Sequence, residues 1–217
     1  MKKWSNEAWE AAADVYDHTL ELPFVKSLAA GTLPKEKFLF YLRQDTLYLR
    51  RYFRVLANIA SRLDNVAHAD AFIRFAADGI AVEKALHGQY LGGVSPTDDE
   101  MSPTCALYTS TLLSQALEPV EVEAAAVLPC FWIYQKVGEH ILATAKVTDS
   151  NPYKDWITTY ADETFAASTR LAIEICDSLA AQASAAVRDR MTGIFRQCAR
   201  LEWMFWESAW NLETWKI

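Results

Sequence analysis

Leu128-Pro129-Cys130-Phe131-Trp132-Ile133-Tyr134 is the stretch on which the reading of this chain turns. It lies in a helix expected over 119–145, and no β alternation bounded by hairpin turns appears there or elsewhere. A proline inside a helix removes one backbone hydrogen bond and presses on the carbonyl four residues back, here Ala125, so the following turn is expected to kink. Cys130 and Tyr134 stand at i and i+4 on one helix face, where a thiol and a phenol can border one pocket. The segment alone leaves a second reading open, because a cysteine in an apolar helix often packs as a small hydrophobe.

Helices are expected along the whole chain. Only seven glycines and seven prolines punctuate 217 residues, about half the usual glycine frequency. Ser5 is expected to cap a first helix over 5–22, with Trp9, Ala13, Tyr16 and Leu20 at helical spacing and Pro23 near its end. A second helix over 34–63 has Pro34 in its first turn and is long enough to bend or break. A third covers 66–90, ends at Gly92-Gly93 and leads into a loop at Pro96-Thr97-Asp98-Asp99. Further helices fit 102–115, 119–145, 153–180 and 183–212. Without repeats, low-complexity tracts or linkers, the expectation is one all-α domain over 1–217. Eight tryptophans in such a chain mean that several helices bury more than one face, around a central pocket or against other copies.

Composition excludes several functions. The formal charge is −7 with no Lys/Arg block or basic helix face, so the footprint of a nucleic-acid binder is missing. Cys105, Cys130, Cys176 and Cys198 are far apart and form no CxxC pair, which argues against a zinc knuckle or redox motif and for free thiols. The opening Met1-Lys2-Lys3-Trp4-Ser5-Asn6-Glu7 has no apolar signal core, and no stretch reaches 18 apolar residues. A cytoplasmic protein with no membrane partner is expected.

Chemistry has few candidates. Tyr41, Asp45, Tyr48 and Tyr52 share one face of the second helix, either as packed core with Asp45 paired to Arg43 or Arg50, or as the wall of a site. Glu202 lies in Leu201-Glu202-Trp203-Met204-Phe205-Trp206, where burial would raise its pKa into the range of a general acid/base; the alternative is an ion pair with Arg196 or Arg200. Tyr108 and Tyr160 are further phenols on apolar helices. Glu83-x-x-x-His87 is the one metal-like spacing, but His18, His68 and His140 supply no second Glu/His pair of the kind a di-iron bundle needs. A lone helical His18 is a poor haem signal.

Taken in order, Gln44-Asp45-x-x-Tyr48, Pro129-Cys130-x-x-x-Tyr134-x-x-x-Gly138, Trp156-Ile157-x-x-Tyr160-x-x-x-x-Phe165 and Glu202-x-x-Phe205-Trp206 resemble the TenA (thiaminase II) family over nearly the whole chain. The cysteine places the chain with members that carry a catalytic thiol. The resemblance implies a haem-oxygenase-like helical bundle with a central pocket, a homotetramer, and no metal, haem or other cofactor. It implies hydrolysis of thiamin-related aminopyrimidines to 4-amino-5-hydroxymethyl-2-methylpyrimidine. By motif position Cys130 would be the nucleophile and Glu202 the acid/base, Asp45 would grip the pyrimidine, and Tyr48, Tyr108, Tyr134, Tyr160 and Phe205 would line the pocket. Two other readings of the same scaffold are a non-catalytic pyrimidine-binding or regulatory protein and an oxidative enzyme using iron or haem.

Overall fold

The computed structural model describes residues 3–91, 96–145 and 149–217, with the side chains of 81–89 and of Asp99 outside that description. Every regular element among the described residues is helical: α1 (Trp4–Leu20), α2 (Pro23–Ala29), α3 (Lys35–Arg62), α4 (Val66–Leu91), α5 (Pro103–Ser114), α6 (Val120–Thr144), α7 (Lys154–Ala161), α8 (Glu163–Gln182) and α9 (Ala185–Asn211). Short 3-10 turns at Asp98–Glu100 and Gln115–Leu117 flank α5.

Helix α6, which carries Pro129, Cys130 and Tyr134, forms the centre of the bundle. From Val122 to Pro129 every residue of α6 is buried, and α3, α5, α7, α8 and α9 all pack on it. A helix covered on all sides can be apolar on all sides, which is what this sequence provides. Its one buried acid, Glu123, is neutralised by the Arg62 guanidinium and accepts the Asn58 Nδ2–H at 2.8 Å. The helix runs unbroken through Pro129. Nine residues further on, Gly138 lets α7 come close: a Cβ there would sit 2.8 Å from the Tyr160 carbonyl carbon.

Five expectations need correction. Ser5 does not cap α1; Lys3 holds that position, and Ser5 sits inside the first turn, where its N–H and Oγ–H both donate to Asp177 of α8 at 2.8 and 2.9 Å. The buried stripe of α1 is Trp4, Ala8, Ala12, Val15 and Thr19, so Trp9, Ala13, Tyr16 and Leu20 flank the core at half-burial. Pro23 begins a separate helix, α2, with the proline in the first turn, where its missing N–H is not needed. The long helix expected over 153–180 is two helices, because Asp162 leaves the helical conformation and its side chain accepts the Thr164 N–H at 2.7 Å, capping α8. By contrast α3 runs as one 28-residue helix without the break its length suggested. Ser102 and Ser184 cap α5 and α9, accepting the N–H groups of Cys105 and Val187.

Candidate active site

A cavity of about 690 Å³ opens between α3, α4, α6, α7 and α8. Asp45, Tyr52, Cys130, Tyr134 and Tyr160 line it, together with the rings of Phe53, Phe75, Phe131 and Phe165. Towards solvent the lining becomes polar, with Asp78, Thr158, Thr159, Asp162, Thr164 and Ser168. The break at Asp162 shapes this front, since it turns the chain so that Tyr160 of α7 and Phe165 of α8 meet edge to face at 5.3 Å. A wider groove of about 930 Å³, bordered by Asp17, Glu21, His140 and Asn151, holds none of the eight predicted site residues.

Of the eight predicted site residues, Asp45, Cys130, Tyr134 and Tyr160 border the cavity directly. Tyr48, Tyr108, Glu202 and Phe205 form a dry layer packed next to it, all at most 3% exposed. Tyr48 centres that layer, 4.8 Å from the Tyr108 ring and 5.8 Å from the Phe205 ring. The Tyr108 hydroxyl donates to Glu202 Oε1 at 2.7 Å, joining α5 to α9. Glu202 therefore does not take up the alternative ion pair with Arg196, which grips Asp14 through two bonds of 2.6 and 2.8 Å. Arg50 likewise turns away from the site and donates to the Pro96 carbonyl at 2.9 Å.

Burial dominates the electrostatics. The Glu202 carboxyl is pushed up to about 8, first by desolvation and further by the Asp45 charge, while the Tyr108 hydrogen bond pulls it back. The same desolvation, reinforced by the Glu202 charge, holds the Cys130 thiol well above its ordinary range, and the hydroxyls of Tyr48 and Tyr52 favour its thiolate. Tyr48 lies against Cys130 and Tyr108 yet its hydroxyl makes no hydrogen bond of good geometry, as is also true of the buried Trp206 indole N–H. At neutral pH both Cys130 and Glu202 hold their protons. Cys130 is nonetheless the only half-buried thiol; Cys105, Cys176 and Cys198 are buried in the core, and burial pushes all three up, Cys105 to about 12.

Tyr52 is the site residue that spacing placed on the right face without assigning it a role. Its hydroxyl donates to the Val127 carbonyl at 3.0 Å beside the proline turn and reaches the thiol. Glu83 and His87, the metal-like pair, lie among the side chains outside the description. His18 is exposed on α1, bonded to the Asp14 carbonyl at 2.6 Å.

The family model described as TENA/THI-4/PQQC matches residues 9–212. The chain belongs to the TENA/THI-4/PQQC family. Among the relatives in this family, an aminopyrimidine aminohydrolase of Bacillus subtilis (strain 168) is 30% identical over 220 residues, covering 98% of this chain and 92% of that protein. A thiamine biosynthesis multifunctional protein ThiED of Corynebacterium efficiens is 38% identical over 173 residues, 78% of this chain, and the match spans only 23% of that longer protein. A solved TenA homologue from P. horikoshii OT3 superposes with a TM-score of 0.81 at 26% identity, covering 97% of this chain and 99% of that one. No helix among the described residues is long and apolar enough to cross a membrane.

Proposed function

We propose that this TENA/THI-4/PQQC protein is an aminopyrimidine hydrolase of thiamin salvage, converting 4-amino-5-aminomethyl-2-methylpyrimidine, and thiamin as a second substrate, to 4-amino-5-hydroxymethyl-2-methylpyrimidine. The observation that carries the reading is the thiol of Cys130 at the cavity wall beside a buried carboxyl, Glu202, held at about 8 and hydrogen-bonded to Tyr108. The name and near full-length match of the Bacillus subtilis relative support the substrate class.

The residue chemistry fits that reaction. Asp45 accepts the exocyclic amine, and the aromatic rings stack on a flat heterocycle. Because both groups start protonated, the thiol adds its S–H across a ring C=N: sulfur bonds to carbon, and Glu202 takes the thiol proton on one oxygen while giving its own to the ring nitrogen from the other. Electrons from the ring, which has lost its aromaticity without any redox change, then expel the side-chain amine from the methylene carbon: it binds as the ammonium and leaves as ammonia. Water adds its oxygen to the exposed methylene and gives one proton to that ammonia, the C–S bond breaks, the ring becomes aromatic again, and the ring proton returns to Cys130 through Glu202. The sum is substrate plus water giving alcohol plus ammonia, one difficult displacement divided into easier steps. The reading includes a cytoplasmic homotetramer. An exposed row of Val66, Ile73 and Ile80 at seven-residue spacing on α4 supports such an assembly.

Incubating purified protein with the aminomethylpyrimidine and, separately, with thiamin tests the proposal. Appearance of the hydroxymethylpyrimidine by chromatography is the expected result, and the ratio of rates names the preferred leaving group. Tight binding with no product after prolonged incubation would replace it with the non-catalytic binding protein.

A further inference from the structure

The turn that ends α9 carries the one non-glycine residue in the left-handed region among the described residues, Leu212, at φ 50°. A leucine there costs about 1–2 kcal/mol. Two bonds hold the turn, from the Leu212 N–H to the Ala209 carbonyl at 3.3 Å and from the Glu213 N–H to the Ser208 carbonyl at 2.9 Å. The chain then crosses the start of α5. There the Glu213 carboxyl accepts the Thr104 N–H at 2.9 Å, and two residues on the Trp215 indole donates to the Met101 carbonyl at 2.8 Å. Pro103 has no N–H, and those of Cys105 and Ala106 go to the Ser102 hydroxyl and carbonyl. Glu213 thus takes the one first-turn donor that α5 and its cap leave over, at a helix end that favours a carboxylate.

Thr104 lies one turn before Tyr108, whose hydroxyl donates to Glu202 of α9 at 2.7 Å. Helix α5 is therefore tied to α9 twice, and the ties close a ring from Glu202 through Tyr108, Thr104 and Glu213 back along α9. Gln44 grips the segment before α5 from the other side, donating to the Glu100 carbonyl at 2.9 Å and accepting the Ser102 N–H at 2.8 Å. That grip ties the segment to α3; Glu213 ties it to α9. We propose that Glu213, with Trp215 beside it, is a positioning residue that fixes α5 against α9 and so keeps the Tyr108 hydroxyl on the buried acid. The inference rests on Glu202 as the acid of the proposed reaction. The ionisable groups that bear on Glu202 are Tyr108 from α5, Asp45, Tyr48 and Tyr52 from α3, Cys130 and Tyr134 from α6, Tyr160 from α7 and Cys198 of its own helix. Of these, Tyr108 alone stands on the helix whose end Glu213 holds, so a change at Glu213 reaches the acid through Tyr108.

The test follows the protonated Glu202 carboxyl of the ligand-free protein by infrared titration, its band identified by its loss in Glu202→Gln, and in parallel the alkaline limb of kcat/KM for the aminomethylpyrimidine. The Tyr108 bond pulls Glu202 down from where burial would put it, so Tyr108→Phe should raise the titration by about one pH unit, the worth of that hydrogen bond. Glu213→Ala should raise it by about half a unit, a partial loss of the same bond, and Trp215→Phe by less. Removing a negative charge would by itself move Glu202 the other way, so an upward shift reports the lost position of Tyr108 and not the lost charge. Glu213→Gln keeps an acceptor oxygen for the Thr104 N–H and should restore the wild-type titration. Adding Glu213→Ala to Tyr108→Phe should shift the titration no further than Tyr108→Phe alone. General loss of stability lowers the melting temperature without this pattern. A titration unmoved or lowered in Glu213→Ala, or a full additional shift in the double variant, would overturn the inference, as would a wild-type Glu202 that titrates in the ordinary carboxyl range. The expected infrared shifts with no turnover of the aminomethylpyrimidine by the wild type would remove the proposed hydrolysis and leave the positioning role standing.

Discussion

The two sides of the cavity are built on opposite terms. The inner side, from α3, α5 and α9, is dry: Tyr48, Tyr108, Glu202 and Phe205 are packed ring on ring, and the one carboxyl among them keeps its proton to about pH 8. The front, from α7 and α8, is a helix break rimmed by hydroxyls and the exposed Asp162, whose carboxyl is held below its ordinary range by the Thr164 side chain and N–H. Two carboxylates about the same pocket are thus shifted in opposite directions by water exclusion on one side and hydrogen bonding on the other. The inner side is suited to hold and pass protons. The front is suited to admit a polar substrate and let an amine leave.

Glu202→Gln strikes that contrast hardest. It should lower kcat by about 10²–10⁴, the usual worth of a general acid/base, in steady-state assays at pH 7. It should also change the pH dependence of stability. A carboxyl whose folded pKa is raised to about 8 contributes nothing below its unfolded value, and costs stability progressively as pH rises between the two, because the unfolded chain then holds fewer protons. The melting temperature of the wild type should therefore fall between about pH 4.5 and 8 more steeply than that of the variant. Equal slopes would show that Glu202 is not held protonated.

Tyr108→Phe is milder and more diagnostic. Its hydrogen bond lowers the Glu202 pKa, so removing it should move the alkaline limb of the kcat/KM profile upward, with a loss of about tenfold in rate. A limb that stays in place would detach Tyr108 from the acid.

On the front, Gly138→Ala drives a Cβ to within 3 Å of the Tyr160 backbone. Overpacking of that kind costs about 1–3 kcal/mol, about 2–4 °C of melting temperature for each kcal/mol in a chain of this size, and should raise KM as Tyr160 is displaced. Smallest is Asp162→Ala, which removes the α8 cap: a slight drop in melting temperature and a higher KM, with kcat nearly unchanged. A collapse of kcat in either variant would mean that the front takes part in the chemistry.

The same contrast explains what could be read from the chain. The inner side and the α6 wall were legible because their residues repeat with the helix: Tyr41, Asp45, Tyr48 and Tyr52 fall on one face of α3, and Cys130 and Tyr134 on one face of α6. The front was not, because apolar spacing from Trp156 to Phe165 runs straight across the break, and only the short polar cap at Asp162 marks it. Helix α2 escaped notice for a related reason, seven residues being too few for a period to show. Spacing alone could not tell a site from a core, and the roles of the candidate residues rested on family resemblance. Nor could it show that Tyr108 meets Glu202, two residues 94 positions apart on different helices.

The covalent role of Cys130 is most directly tested with purified Cys130→Ala under saturating 4-amino-5-aminomethyl-2-methylpyrimidine, measuring ligand binding and hydroxymethylpyrimidine release in the same sample. The expected result is saturable binding of wild-type strength with no product above the uncatalysed background. Product released at the wild-type rate would contradict a covalent bond to this thiol and leave the pocket to activate water without it.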